Sequence, residues 1–287
     1  MNNKLACLIL SKSRPLLFDA TIRSTLQNFP HVDKFFFLLV DNKDIALYDD
    51  WLLNEYKSSI PTEIIKEKHI RPDLIITLNN IIKQGFAHTL FLTDDTFFFR
   101  KFPYPKEMIF HAFDNPQVLT VGLRMGENTV VQNPYNPSEK LHVPTNWYSD
   151  FAVWDWTKES HDKNTGYPIS MDGHIYRTQD MLDMTESIQF KNLREWEGNL
   201  VGNLWANKGK FPRFTGDMMG CFKESTTVNI PISMVQYPFQ ANVSPYGVST
   251  EQMLDLWKQG KRIDLEKMFK NVVVNGSHIL TPLAYKD

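Results

Sequence analysis

Cysteine is scarce in this chain: two in 287 residues, Cys7 and Cys221, far apart and without CxxC spacing. That excludes a disulfide framework and a cysteine-built zinc site, and leaves two buried free thiols as the expectation. An excess of either charge is also lacking. Lys and Arg number 31 against 33 Asp and Glu, a formal net charge of −2, which argues against a charge-driven grip on nucleic acid or an anionic membrane. No apolar run approaches the roughly 18 residues of a spanning helix; the densest, residues 35–40, has the length of a strand. Residues 1–5 offer too short an apolar stretch for a signal peptide, so a cytoplasmic protein with no transmembrane segment is expected. Glycine is missing from residues 10–15, the loop after the first apolar run, so no glycine-rich triphosphate cradle forms there.

What is present has a βα rhythm. Residues 5–10 and 35–40 are apolar without helical spacing and predict buried strands; residues 61–65 predict a short one. Pro15 opens a helix over 16–28, consistent with proline in a first turn. Residues 48–56 read as helical. Leu74, Leu78, Ile81 and Ile82 give residues 72–84 a helical face that Gly85 stops. Residues 89–92 close the alternation with another strand. Strand and helix alternating on this scale predict an α/β fold: a mostly parallel central sheet with helices on both faces. Beyond about residue 115 the pattern loosens. A strand over 169–177, broken at Asp172-Gly173, a helix over 192–207, and a capping box at Ser249-Thr250-Glu251-Gln252 that starts a helix running to Gly260 are expected. No repeat or linker divides the chain, so one domain over 1–287 is expected.

The most informative feature is an acidic pair between two apolar runs, Leu90-Phe91-Leu92-Thr93-Asp94-Asp95-Thr96-Phe97-Phe98-Phe99. A core strand ending at two adjacent carboxylates puts negative charge at the sheet's carboxyl edge, where ligands of open α/β sheets bind. Two such carboxylates repel unless a cation or a donor sits between them, and oxygen-rich sites suit Mg2+ or Mn2+. A turn or helix cap is the plainer alternative. Asp41 ends the second strand at the same edge and either accepts from a base or ribose or shapes a turn. Arg14, four residues past the first strand, either grips a phosphate or base or is an ordinary surface residue.

On a helical projection Leu193, Glu197, Leu200, Val201 and Leu204 share one face, while Glu195 points about 200° away. Glu197 thus interrupts an apolar stripe, where desolvation raises a carboxyl pKa and suits it to proton abstraction; a stripe-edge ion pair is the alternative. Asp172, beside Gly173, either touches a sugar hydroxyl or shapes a turn. Trp147, Trp154 and Trp156 offer faces to a sugar ring, though core packing is expected for at least two of them. His278 stands on a late loop and closes a metal shell only if the C-terminal region folds back over the acidic pair.

Together these residues resemble nucleotide-sugar-dependent glycosyltransferases of the GT-A fold. Thr93-Asp94-Asp95 stands where that family carries its DxD-type motif. Ser11-Lys12-Ser13-Arg14-Pro15 looks like its first loop under the base, and Asp41 like its base-contacting aspartate. Gly173 to Arg177 is similar to its acceptor-side strand, and Glu197-Gly198-Asn199-Leu200 lies where the base of inverting members falls, here in a Glu-Trp-Glu context rather than Glu-Asp. Its late metal-binding histidine corresponds to His278.

The resemblance implies a Rossmann-like GT-A domain with a nucleotide-sugar half over about residues 1–100 and an acceptor and catalytic half over about 101–287. It further implies Glu197 and Asp172 as catalytic residues, Arg14, Asp41 and Asp94 as donor-binding residues, and Asp95 with His278 holding Mn2+ or Mg2+. The implied activity is transfer of a sugar, with inversion, from a nucleotide-diphosphate donor to a glycan or lipid-linked acceptor in cell-surface polysaccharide or glycan synthesis. A sugar-phosphate nucleotidyltransferase, disfavoured by the glycine-free loop, and a non-catalytic carbohydrate-binding protein are the alternatives.

Overall fold

The apolar runs without helical spacing do form strands. In the computed structural model, which describes residues 4–40, 56, 60–143, 147–232 and 246–287, β1 (Leu5–Ser11), β2 (Lys34–Val40), β3 (Thr62–Glu67) and β4 (His88–Thr93) pair in parallel in the order β3-β2-β1-β4. The chain then adds β5 (Thr96–Phe98), β6 (Val118–Gly122), a hairpin of β7 (Val131–Asn133) and β8 (Asn136–Lys140), β9 (Trp147–Tyr148), β10 (Phe151–Asp155), β11 (His174–Arg177), β12 (Met218–Phe222) and β13 (Thr227–Asn229). The central sheet runs β3-β2-β1-β4-β11-β6-β12-β10-β9. Only β11 and β10 run against the rest. This is the mostly parallel α/β sheet that the βα rhythm predicts.

Both faces are covered, and the strand period explains how. Leu5, Cys7 and Ile9 of β1 meet Phe18 and Ile22 of the helix Pro15–Asn28. The alternate residues Ala6, Leu8 and Leu10 belong to the opposite layer, with the helices Ile70–Lys83 and Leu193–Ala206. A one-residue slip in register would exchange the two layers, so both apolar faces fix the same pairing. Cys7 and Cys221 are buried free thiols, as expected. Trp154 and Trp156 are core residues whose indole N–H groups donate to the carbonyls of Thr165 and Gly216, at 2.8 Å each.

Two differences from the sequence reading have simple causes. The strand anticipated over residues 169–177 survives only as β11, because Gly173 takes φ +79° and breaks extension before His174. The helical face of 193–206 is wider than its aliphatic stripe: Trp196 is fully buried on it, stacked on Phe91 at 5.9 Å. The helix expected from residue 48 and Asp41 lie outside the described residues.

β1 is the strand from which the chain leaves to one side, towards β2, and beside which β4 is later laid on the other. The crevice outside the carboxyl ends of β1 and β4 is therefore the sheet's topological switch point. Leu10 pairs with Thr93 there, so the next residues, Ser11 and Asp94, face each other at its mouth. A third apolar cluster brings the last part of the chain to the same region: Met253, Trp257 and Ile279 pack with Leu16, Leu17, Ala20 and Phe97. A parallel bridge between Asn229 and His278 fixes the final loop beside β13.

Candidate active site

At the end of β4 the chain turns, and both carboxylates of the pair are drawn inward. Asp94 is fully buried. One of its oxygens is held by the Arg14 guanidinium; the other accepts from Ser11 Oγ at 2.7 Å and from the Lys12 amide at 3.3 Å. Burial pushes its carboxyl above the usual carboxylate range, against the opposing pull of Arg14. Asp95 accepts from Arg14 Nη1 at 3.0 Å on one oxygen, and from Asn229 Nδ2 at 2.9 Å on the other. Arg14 is itself only 6% exposed. The loop reaches this position through Ser13, whose φ of +57° lies in the left-handed region.

Thr93 links the pair to a third carboxylate. Its hydroxyl oxygen lies 2.8 Å from Asp95 Oδ1, 2.6 Å from Asp172 Oδ1 and 2.8 Å from Thr96 Oγ1. One hydroxyl has one proton. Thr93 donating to Asp95, with Thr96 donating to Asp172 at 3.1 Å, serves both acids. The other Asp172 oxygen faces Arg124 Nη1 and His278 Nε2, each at 3.7 Å. Despite burial, His278 and Arg124 hold Asp172 well below the usual carboxylate range. Arg124, 3% exposed, also donates through Nε to His174 Nε2 at 3.3 Å. Burial, with Arg124 adjacent, lowers His174 well below an ordinary histidine, so it is the neutral acceptor that this bond requires.

The two candidate bases separate cleanly. Glu195 is exposed and occupied at the helix start, accepting from the Lys191 amide at 2.9 Å and Asn192 Nδ2 at 3.0 Å. Glu197 is on the inward face. Burial first, and the nearby Asp172 charge second, raise its carboxyl to about 7; Arg124 and hydrogen bonds from the Tyr167 hydroxyl and the Met171 amide work the other way. Met171 in turn lines a cleft of about 130 Å³ at the switch point, with Ser11, Lys12, Arg14, Asp94 and Lys191 among its other walls. A larger cavity of about 820 Å³ opens at the far end of β4, around His88, Phe110 and Phe113. None of the acidic network described above reaches it.

The structure thus brings Arg14, Asp94, Asp95, Asp172, His278 and Glu197 into one linked region. Sequence reasoning missed Thr93 as a hub, and with it Asn229, Tyr167 and Arg124. Only Arg124 left a signal: a lone arginine directly after the apolar run 118–123 must find a partner if the strand is buried.

No family model and no curated protein matches the chain. Solved structures do. The chain is similar to residues 1–349 of TarS from S. aureus at 14% identity and a TM-score of 0.43, over 77% of this chain and 58% of that one. TarS has also been solved with UDP and with UDP-GlcNAc. This chain is also similar to 4-diphosphocytidyl-2C-methyl-D-erythritol synthase from Anaerococcus prevotii at 12% identity and a TM-score of 0.39, over 70% of this chain and 83% of that one. A third is a mannosyltransferase from Pyrobaculum calidifontis in complex with GDP-Man and Mn2+, at 12% identity and 0.31, over 47% and 37%. The chain spans under two thirds of the TarS fragment. At these values the case for function rests on the site's own residues.

Those residues do not fit a divalent ion as arranged. Each oxygen of Asp94 and Asp95 already accepts a hydrogen bond, and a guanidinium occupies the position between the two carboxylates. Among the described residues no three His, Cys, Asp or Glu side chains converge as a metal shell. His278 addresses Asp172 and Ser277.

Proposed function

We propose that the chain is a glycosyltransferase, moving a sugar from a nucleotide-diphosphate donor to an acceptor hydroxyl with inversion. The observation that carries this reading is Glu197: a carboxyl raised to about 7, joined through Met171 to a cleft at the sheet's switch point. A base poised near neutrality both holds the right protonation state and has the driving force to take a hydroxyl proton. Glu197 removes that proton as the acceptor oxygen attacks the anomeric carbon from the face opposite the diphosphate. Asp172, kept ionised by Arg124 and His278, orients a sugar hydroxyl. The charge leaving with the diphosphate meets Lys12 and Lys191, which line the cleft.

On this reading residues 1–100 carry most of the donor site and residues 101–287 supply the base and the acceptor side. The acceptor is a glycan or lipid-linked sugar. Thermal melting against UDP, GDP and their sugar conjugates tests the donor class, since a ligand of the folded state raises the melting temperature. The expected outcome is a shift with one nucleotide family, kept in Glu197→Gln, together with a product of inverted anomeric configuration by NMR. A Glu197→Gln protein turning over at the wild-type rate would sink the assignment.

A further inference from the structure

We propose that Arg14 takes the place of a divalent cation at the acidic pair, so that the chain binds its donor diphosphate without Mg2+ or Mn2+. The inference rests on the glycosyltransferase reading and concerns how that site handles charge.

A hard cation binds through oxygen lone pairs left free by the protein. Here the pair's inner faces are committed to one guanidinium, with Nη1 3.0 Å from Asp95 and Nη2 on Asp94. Its outer faces are committed to Ser11 at 2.7 Å, Thr93 at 2.8 Å and Asn229 at 2.9 Å. These donors come from β1 and the loop after it, from β4 and from β13, elements far apart in sequence that converge on two carboxylates. An incoming ion would have to break these bonds and drive a buried guanidinium out of its seat. Arg suits the role: its planar fork matches two carboxylates at once, its charge is permanent, and its hydration is weaker than an ammonium's. A second buried arginine, Arg124, faces Asp172 at 3.7 Å. The donor's diphosphate then finds its compensation in Lys12 and Lys191 on the cleft, whose lining among the described residues also includes Glu67.

The test is calorimetric titration of UDP, GDP, CDP and ADP into the full chain, in EDTA and in Mn2+, alongside titration of Mn2+ alone followed by its EPR signal. The expected result is one nucleotide bound with a dissociation constant equal within about threefold in the two buffers, and a Mn2+ signal unaltered by the wild-type protein. Arg14→Lys, which keeps the charge but loses the fork, should weaken the nucleotide about tenfold or more in EDTA. Arg14→Met should bind Mn2+ if it folds; the wild-type titrations decide the matter without it. Stoichiometric Mn2+ binding by wild type, or nucleotide binding only with Mn2+, overturns the inference and leaves the glycosyltransferase standing. Binding of no nucleotide in either buffer overturns the glycosyltransferase reading, and this inference with it.

Discussion

Arg14 Nη1 stands 3.0 Å from Asp95 Oδ2, while the same guanidinium holds Asp94, so one side chain from the first loop bridges both members of an acidic pair 80 and 81 residues away. The bridge ties the end of β1 to the end of β4 at the mouth of the cleft. It also makes the local fold depend on one charge.

Removing that charge should be costly. Arg14→Met leaves two buried carboxylates facing each other, and breaking a buried ion pair from one side costs about 3–5 kcal/mol. Urea unfolding of Arg14→Met should show a loss of that size, with part recovered by adding Asp94→Asn. A midpoint unchanged from wild type would mean that the bridge contributes nothing to stability.

Glu197 gives a pH signature with a definite sign. Its folded carboxyl is raised to about 7 from an ordinary 4.5, so between those values the folded state holds a proton that the unfolded state has released. Stability from this group is therefore complete below about pH 4.5 and lost as pH rises through about 7. Glu197→Gln should be relatively more stable than wild type above pH 7, measured by denaturant midpoints across pH. Turnover runs the other way: a base must be deprotonated, so kcat should fall below about pH 7 in wild type. Glu197→Gln should lose about 10²- to 10⁴-fold in kcat while keeping donor affinity.

Gly173 is the backbone position that lets Asp172 turn inward. At φ +79° a Cβ would also meet Thr227 Oγ1 at 2.3 Å. Gly173→Ala should therefore destabilise by about 1–3 kcal/mol through strain alone, and the clash adds to that. Thr227→Ala in the same chain should relieve the clash and leave the strain, which thermal melting of the single and double variants will separate.

Asp172 and Arg124 should be energetically coupled. Arg124 is 3% exposed, with Asp172 and a neutral His174 as its partners. A double-mutant cycle of Asp172→Asn and Arg124→Met should return a coupling energy of about 0.5–3 kcal/mol. Strict additivity would show that the 3.7 Å separation carries no interaction.

The fold was largely legible because its signals are local. An apolar run lacking helical spacing, Pro15 at a first turn, and Ser249 with Gln252 as a capping box each declare themselves within a few residues, and that capping box forms as read. Asp94 and Asp95 were legible as a point needing compensation for a similar reason: two charges interrupting a buried run must be balanced. The identity of the compensation was not legible. Arg14 stands some 80 residues from its partners, Asn229 is 134 residues from Asp95, and neither residue type announces its partner at such distances. Glu197 was found by helical geometry; Tyr167, which bonds to it, approaches from a loop that no periodicity describes.

The bridge between Asn229 and His278, together with the packing of Met253, Trp257 and Ile279 on Leu16, Leu17 and Phe97, sets an order of assembly. During synthesis the first helix emerges long before residues 253–279, so Leu16, Leu17 and Phe97 lack those partners until that segment has left the ribosome. Until then Asn229 and Asp172 both lack their His278 neighbour. The surroundings of Asp172 are therefore complete only once the segment carrying His278 has docked.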